Sequence, residues 1–231
     1  MLDVSLIADL PPFEGMKPAD LGDLLSRARS HYYAKGEHIF RQGEEAGHFY
    51  VLLDGHIRVV KVTPEGEQII ARYISSGELF GIAKAIGRDT YPANAVAAVD
   101  CVALVWPNSI WQATIERYPS FSTNTYRTLG GRLLDAQDRI VEMATERVEQ
   151  RVANAILKLA KQTGRTTGDG VLIDFPISRQ DLSEMTGTTL HTVSRLISAW
   201  ETSGLIKSGR QKITVVEGDS LLRIATRQGD L

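Results

Sequence analysis

The spacing of apolar residues changes several times along this chain, and each change predicts a different element. Leu6, Ile7 and Leu10 precede Pro11-Pro12-Phe13, and Leu21, Leu24 and Leu25 follow at helical spacing, so a short helical start is expected over residues 1 to about 30. From Tyr32 to Val105 the helical period gives way to short β-type runs. Gly36, Gly43, Gly47, Gly55, Gly66, Gly77 and Gly81 punctuate them, the pattern of a small barrel or roll. Phe49 to Val60 reads as two strands joined by an Asp54-Gly55 hairpin turn. A second hairpin sets Val62 against Gln68-Ile69-Ile70-Ala71 around Pro64-Glu65-Gly66.

Tyr118-Pro119 then opens a long helix. Ser122, Tyr126, Leu129, Leu133, Ala136, Ile140 and Met143 follow a 4-3-4-3 spacing, which is a heptad seam. A helix lying on its own barrel would also carry such a stripe, and Gly130-Gly131 weakens the helix. A seam this short suits a paired helix better than a solitary one, so Tyr126, Leu129, Leu133, Ala136, Ile140 and Met143 are the predicted dimer face. Val148, Val152, Ala155, Ile156 and Leu159 begin another helix that closes at Gly164, and Gly164 to Gly170 reads as a flexible, hydrophilic link. A boundary near residues 143–146 divides the chain into 1–117, 118–145 and 146–231, with a hinge near Thr145.

Two short helical patterns surround one glycine between Ile177 and Ile206. Ser178 is a good N-cap, with Asp181 in the capping-box position, although Asp is short for that role. Leu182 and Met185 face inward, and Gly187 supplies the turn. Thr188 is the expected cap of a second helix whose apolar set is Val193, Leu196, Ile197 and Trp200, and Gly204 stops it. Such a pair is a helix-turn-helix or an ordinary helical hairpin, which shares much of the pattern. If the former, the outward residues Thr189, His191, Thr192, Ser194, Arg195 and Ser198 are short donors and acceptors with one arginine, suited to base edges and phosphates. Leu205 to Lys207 and Lys212 to Val216 read as two strands joined by Ser208-Gly209-Arg210-Gln211, a wing whose Lys207, Arg210 and Lys212 can meet a DNA backbone.

Composition narrows the partners. The 231 residues are 43% hydrophobic and 23% charged with a net charge of −2, so no global field draws the chain to polyanions. Residues 1–144 hold 14 Lys/Arg against 18 Asp/Glu, and residues 145–231 hold 12 against 10, which suits a confined basic face. One cysteine, Cys101, excludes an internal disulfide and a four-cysteine iron–sulfur cluster within one chain. No apolar run reaches membrane-spanning length and no basic signal-peptide start is present, so a cytosolic protein without a membrane partner is expected.

The stretch from Ile177 to Ile206, with Thr192-Val193-Ser194-Arg195 and Ser203-Gly204-Leu205-Ile206, resembles the winged helix of the cyclic-AMP receptor protein/fumarate-nitrate reductase regulator (CRP/FNR) superfamily. Lys35 to Glu44 resembles the opening of that family's sensory β-roll, and Ser76 to Gly81 the start of its effector cassette. The resemblance implies an α+β protein: a cyclic-nucleotide-binding-like β-roll, a long dimerisation helix and a C-terminal winged helix-turn-helix. It further implies a homodimer that binds palindromic double-stranded DNA, works with RNA polymerase and is not an enzyme.

The cassette departs from the cyclic-nucleotide pattern. Nucleotide-binding relatives follow Phe-Gly with a Glu for the ribose hydroxyl and later carry an Arg for the cyclic phosphate. Here Ile82 follows Phe80-Gly81, the later stretch reads Tyr91-Pro92-Ala93-Asn94-Ala95, and the nearest cation, Arg88, lies upstream. A buried phosphate without a charge-assisted partner binds poorly, so no useful cyclic-AMP affinity is expected. Phe80, Gly81, Ile82, Tyr91 and Pro92 are the effector-pocket candidates.

Ala83 to Ala95 and Leu182 to Thr192 instead look like the regulators of nitrite and nitric oxide reductases (the NnrR group), which implies activation of denitrification or nitric-oxide-response genes. Haem is one candidate sensor, with His31, His38, His48 and His56 in this half and Tyr91 as an oxygen ligand. No haem-attachment motif accompanies them. Tyr91 is otherwise a packed aromatic, and Cys101 a weaker candidate for nitrosylation. A CRP/FNR-type regulator of another small molecule is the alternative, as is a cupin-like metalloenzyme with a helical tail. For the latter the histidines lack the His-x-His pair and acid spacing of a facial triad.

Overall fold

Strands between Arg29 and Pro107 fold into two four-stranded sheets in the computed structural model, which describes residues 3–226. One sheet has the order β1 (Arg29–Tyr33), β8 (Cys101–Pro107), β3 (His48–Asp54), β6 (Leu79–Phe80). The other runs β2 (His38–Phe40), β7 (Asn94–Ala97), β4 (His56–Val62), β5 (Gln68–Ser75). The period of two sorts side chains between two cores. On β3, Tyr50 and Leu52 point into the roll with Phe40, Ala95, Ala97 and Ala103, while Phe49 and Val51 point outward with Leu104 and Trp106. Both faces are covered, so β3 reads in sequence as a continuous apolar run.

The outer face is covered by α1 (Pro18–Ser26), α2 (Trp111–Arg117) and the start of α3 (Pro119–Thr145). Leu21, Leu24 and Leu25 are buried there as expected, and Trp106 Nε1 donates to the Leu24 carbonyl at 2.8 Å. The chain before α1 forms two 3-10 turns, Val4–Leu6 and Pro11–Phe13, rather than a first full helix.

Asp54-Gly55 is not a hairpin turn. The strands on either side of it belong to different sheets, so Gly55 is a corner at which the chain changes sheet. A Cβ there would stand 2.5 Å from the Asp100 carbonyl oxygen and 2.7 Å from Cys101 Sγ, at φ +94°, so only glycine fits. The sequence signature of a tight turn was real, but the following strand pairs with β7 (Ile57↔Ala97, Val59↔Ala95) instead of folding back on β3. The expected β4–β5 hairpin does form, with Thr63 N–H donating to the Glu67 carbonyl at 2.9 Å.

The chain divides into two compact units, one of residues up to Glu67 with Ala71–Ala136, the other of Gln68–Ile70 with the residues from Gln137 onward. In the second, α4 (Val148–Thr163) packs against α5 (Arg179–Thr186) and α7 (Gly218–Thr226). Val152, Ile156 and Leu159 of α4 are buried, as are Leu182 of α5 and Leu221 of α7. Residues 164–170 are not a flexible link. They form β9 (Gly164–Thr167) and the start of β10 (Gly170–Ile173), which extend a sheet of order β11 (Ile206–Gly209), β12 (Lys212–Val215), β10, β9. The polar composition points to a link because these two strands, β9 at the sheet edge and β10 beside it, bury only one residue, Ile173.

Candidate nucleic-acid interface and effector cavity

The α5–turn–α6 unit is built by local chemistry. Ser178 caps α5, accepting from Asp181 N–H at 3.0 Å, while Asp181 Oδ2 accepts from Ser178 N–H at 2.7 Å; the short Asp therefore completes the capping box after all. Gly187 closes α5 at φ +61°. The cap of α6 (Leu190–Thr202) is Thr189, not Thr188: its Oγ1 accepts from Thr192 N–H at 3.1 Å and lies 2.9 Å from Thr192 Oγ1. Thr188 instead gives its carbonyl to the Ser183 hydroxyl at 2.6 Å. At the far end Leu205 N–H returns to the Trp200 carbonyl at 2.9 Å and Gly204 N–H to Glu201 at 3.1 Å, which ends the helix.

Val193, Ile197 and Trp200 are buried, which turns the opposite stripe of α6 to solvent. His191, Arg195 and Ser198 are exposed along it, and Ser194 is half-buried. Thr189 and Thr192 carry the cap between them, so their hydroxyls are already engaged. Leu190 is 46% exposed at the first turn, an apolar group open to solvent beside polar ones that the sequence reading left out. It can meet a thymine methyl.

The wing is tied to α6 by Glu201, which accepts from Ser208 N–H at 3.1 Å and Ser208 Oγ at 3.0 Å. Lys207 is not free: its Nζ lies 2.5 Å from Asp169 Oδ1, which joins β11 to the turn after β9. Among the described residues no carboxylate lies within salt-bridge distance of Arg195, Arg210 or Lys212. Arg179, at the first position of α5, lines a cavity of about 190 Å³ with Ile197, Gly209 and Lys212. A cation at a helix N-terminus opposes the helix dipole.

In the first unit a cavity of about 280 Å³ opens between the roll and α3. Phe80, Gly81, Ile82, Tyr91 and Pro92 all line it, so the five predicted pocket residues come together, joined by Phe40, Val59, Ile74, Ala83, Ile86, Ala93 and Leu129. Two cations also line it that sequence reading missed, Arg72 and Arg132; Arg88, the cation expected nearest, does not. Arg72 Nη1 pairs with Glu78 Oε2 at 2.8 Å. Arg132, on α3, donates from Nη2 to the Leu79 carbonyl, and its buried Nε has no partner. Burial pulls its pKa down to about 10, with the like charge of Arg72 adding to the effect.

Tyr91 is held as a structural aromatic. Its hydroxyl donates to the His48 carbonyl at 2.7 Å and accepts from His48 N–H at 3.1 Å, and its ring stacks on Phe40 with centroids 3.8 Å apart. Cys101 is buried and donates to the carbonyls of Val99 (3.1 Å) and His56 (3.2 Å); burial pushes its thiol up, away from the reactive thiolate. Haem does not fit these residues. The cavity lining holds no histidine, cysteine or methionine, and its one phenol is committed to the backbone. Among the described residues no group of three or more His, Cys, Asp or Glu is arranged to hold a metal ion.

Comparison with known proteins decides the family. Residues 30–118 match the cyclic nucleotide-binding domain and residues 150–224 the Crp-like helix-turn-helix domain. The cyclic AMP receptor protein of Thermus thermophilus is 30% identical over 215 residues, 93% of this chain and 96% of that protein. The chain belongs to the CRP/FNR family of transcriptional regulators. The fumarate and nitrate reduction regulatory protein of Escherichia coli K12 is 25% identical over 191 residues, 83% of this regulator and 76% of that one. FixK2 from Bradyrhizobium japonicum has the same fold, with a TM-score of 0.77 at 23% identity over 87% of this regulator and 99% of that chain. The regulator is thus a DNA-binding protein of a family that usually acts as dimers, and not an enzyme. Among the described residues no helix is long and apolar enough to cross a membrane.

The regulator's long helix α3 runs unbroken through Gly130-Gly131. Tyr126 (61% exposed), Leu133 (61%) and Ile140 (69%) stand in solvent with Ala136. Of the other predicted seam residues, Leu129 packs against the outer core of its own roll, and Met143 is exposed with its methyl lying over Gly187. Leu134 and Val141 are exposed too, which widens the stripe beyond the heptad positions.

Proposed function

We propose that this regulator acts as a homodimer that reads a two-fold palindromic DNA site through α6 and responds to a small organic ligand held in the cavity between roll and α3. The observation that carries the reading is the pairing of two uncovered surfaces on one chain. One is the stripe His191, Arg195 and Ser198, free of carboxylates; the other is the apolar stripe Tyr126, Leu133 and Ile140 on a 27-residue helix. An exposed apolar stripe of this length marks an association surface. Pairing along it presents α6 twice, as two half-sites ~34 Å apart require. Arg195 reads base edges, Ser194 and Ser198 assist, and Arg210 and Lys212 hold phosphates from the wing. Lys207 spaces the wing through Asp169. The dimer works in the cytosol and acts on RNA polymerase at its promoters.

The likeness to a cyclic AMP receptor protein does not bring that ligand with it. Buried Ile82 stands where the ribose acceptor would be, and the lining holds no carboxylate. The resemblance to the NnrR group supports a second reading, in which the signal is nitric oxide and the targets are denitrification or nitric-oxide-response genes. It rests on residues 83–95 and 182–192 and on no group inside the cavity. Selection of random duplexes by the purified protein, with sedimentation in parallel, tests the first reading. A palindrome bound by a dimer is expected, and a strict monomer without sequence preference would overturn it. Repeating the DNA titration anaerobically with nitric oxide separates the readings, since only the second expects a shift in affinity.

A further inference from the structure

Arg132 is an unexplained cation among the described residues. A guanidinium offers five donors, and here one meets the Leu79 carbonyl while the buried Nε meets nothing. Among the described residues no carboxylate lies within salt-bridge distance of it. The neighbouring acid, Glu78, is already used, with one oxygen on Arg72 and the other accepting from Ser75 N–H at 2.9 Å. A charge taken out of water is costly unless it is paired, and an unsatisfied buried donor adds to that cost. Arg132 is half-buried with its Nε sealed from solvent, so the fold keeps an unpaired cation at the wall of a cavity whose other cation, Arg72, is already paired. Pairing it with an anion would remove the cost.

The cavity limits what that anion can be. Its volume of about 280 Å³ lies just under the range of ~300–1,000 Å³ usual for drug-sized ligands, so the occupant is small. Phe40, Val59, Ile74, Phe80 and Ile82 offer no hydrogen bonds from their side chains, Tyr91 has spent its hydroxyl, and Arg72 is already neutralised. A sugar or a second charge would be buried there without partners.

We infer that the effector is a small organic monoanion, a carboxylate on an apolar aryl or alkyl body, whose head is held by Arg132 and whose body fills the apolar cavity. This rests on the cavity being the effector site and names the class of its ligand. It also says how binding is transmitted. Arg132 belongs to α3, three residues from Leu129, which packs against the roll. An anion seated on Arg132 adds a contact between the roll and the helix that carries Tyr126, Leu133 and Ile140, so that the ligand biases the dimer face through differential contact.

Calorimetry on the full chain tests this with four probes: phenylacetate, octanoate, phenylacetamide and cyclic AMP. At least one carboxylate binds, and phenylacetate binds about tenfold or more tighter than its uncharged amide, as charge-assisted bonds require. Arg132→Gln brings acid and amide to within about twofold, and Arg132→Lys keeps part of the preference while losing the planar fork. That ratio separates ligand recognition from a folding role, since a variant that only loosens the fold weakens both probes alike. The inference is overturned if neither acid binds, if the amide binds as well as its acid, if cyclic AMP alone binds, or if Arg132→Gln leaves the preference intact. Any of these would leave dimerisation and palindrome selection untouched, and so would speak against the ligand class and not against the DNA-binding reading.

Discussion

The terminal methyl of Met143, near the end of α3, lies over Gly187 in the turn between α5 and α6: a Cβ added to that glycine would stand 2.8 Å from Met143 Cε. Two effects oppose a side chain at 187, and they differ in size. The Met143 methyl is the far end of a flexible chain and can move aside, whereas φ +61° belongs to the backbone and cannot relax without opening the turn. Conformation should therefore dominate. Gly187→Ala is expected to reduce the stability of α5 and α6 by about 1–2 kcal/mol, read as lost amide hydrogen-exchange protection. Adding Met143→Ala should recover less than ~0.5 kcal/mol of it. Full recovery in the double variant would make the Met143 contact the controlling one.

Asp23 ties α1 to the end of α2 and to Tyr118, the residue between α2 and α3. Its carboxylate accepts from the Tyr118 hydroxyl and lies 3.3 Å from Arg117 and 3.4 Å from Arg27. The Tyr118 hydrogen bond, followed by the two arginines, holds its pKa below the ordinary 3.8. A carboxyl depressed on folding stabilises the protein fully above its unfolded pKa, and that stability is lost as pH falls through the folded value. Tyr118→Phe should lower the melting temperature at pH 7, and the deficit should shrink as pH is taken below 3.8. A deficit that stays constant down to pH 2 would assign the loss to packing.

How much of this could be read beforehand depended on the range of the interactions. Ser178, Asp181, Gly187 and Gly204 act within a few residues, so the sequence located the two helices and their turn almost to the residue. The cap was misplaced by one because Thr188 and Thr189 have equal capping preference, and only the tertiary role of Thr188 as acceptor for Ser183 separates them. Asp54-Gly55 carried the right turn residues, but whether the next strand returns or crosses to another sheet is set by pairing with β7, forty residues away. Residues 164–170 read as a link in sequence because the strand that completes their sheet, β12, lies far along the chain. Arg132 was invisible for the same reason. It sits between the seam positions Leu129 and Leu133, where a solvated cation is ordinary, and only the folded roll reveals that it faces a cavity.

The stripe on α3 separates association from stability. Leu133 and Ile140 are 61% and 69% exposed, so an acid there costs the isolated subunit little. Leu133→Glu or Ile140→Glu should yield a monomer in sedimentation, with an unchanged melting temperature when extrapolated to low concentration, and weaker binding to a two-half-site duplex. Leu129→Ala should do the reverse: it packs on the roll, so stability falls by about 2 kcal/mol or more while sedimentation stays dimeric at protein concentrations well above the dissociation constant. A dimer surviving both Glu variants would place the interface elsewhere.

Arg195 and Lys212 are both exposed and free of carboxylate partners, yet their positions assign them different work. Arg195 projects from the middle of α6, in register with His191 and Ser198, where a planar fork can match guanine O6 and N7. Lys212 opens the second wing strand, where a point charge suits a phosphate. Arg195→Ala should cost ~1–3 kcal/mol on the selected site, relax selectivity at one base pair of each half-site, and leave non-specific binding nearly unchanged. Lys212→Ala should weaken specific and random duplexes alike and reduce the slope of log affinity against log salt by about one per subunit. Equal losses on both duplexes for Arg195→Ala would make it a phosphate contact, and base reading would then fall to His191 and Ser198, the remaining exposed polar groups of that stripe.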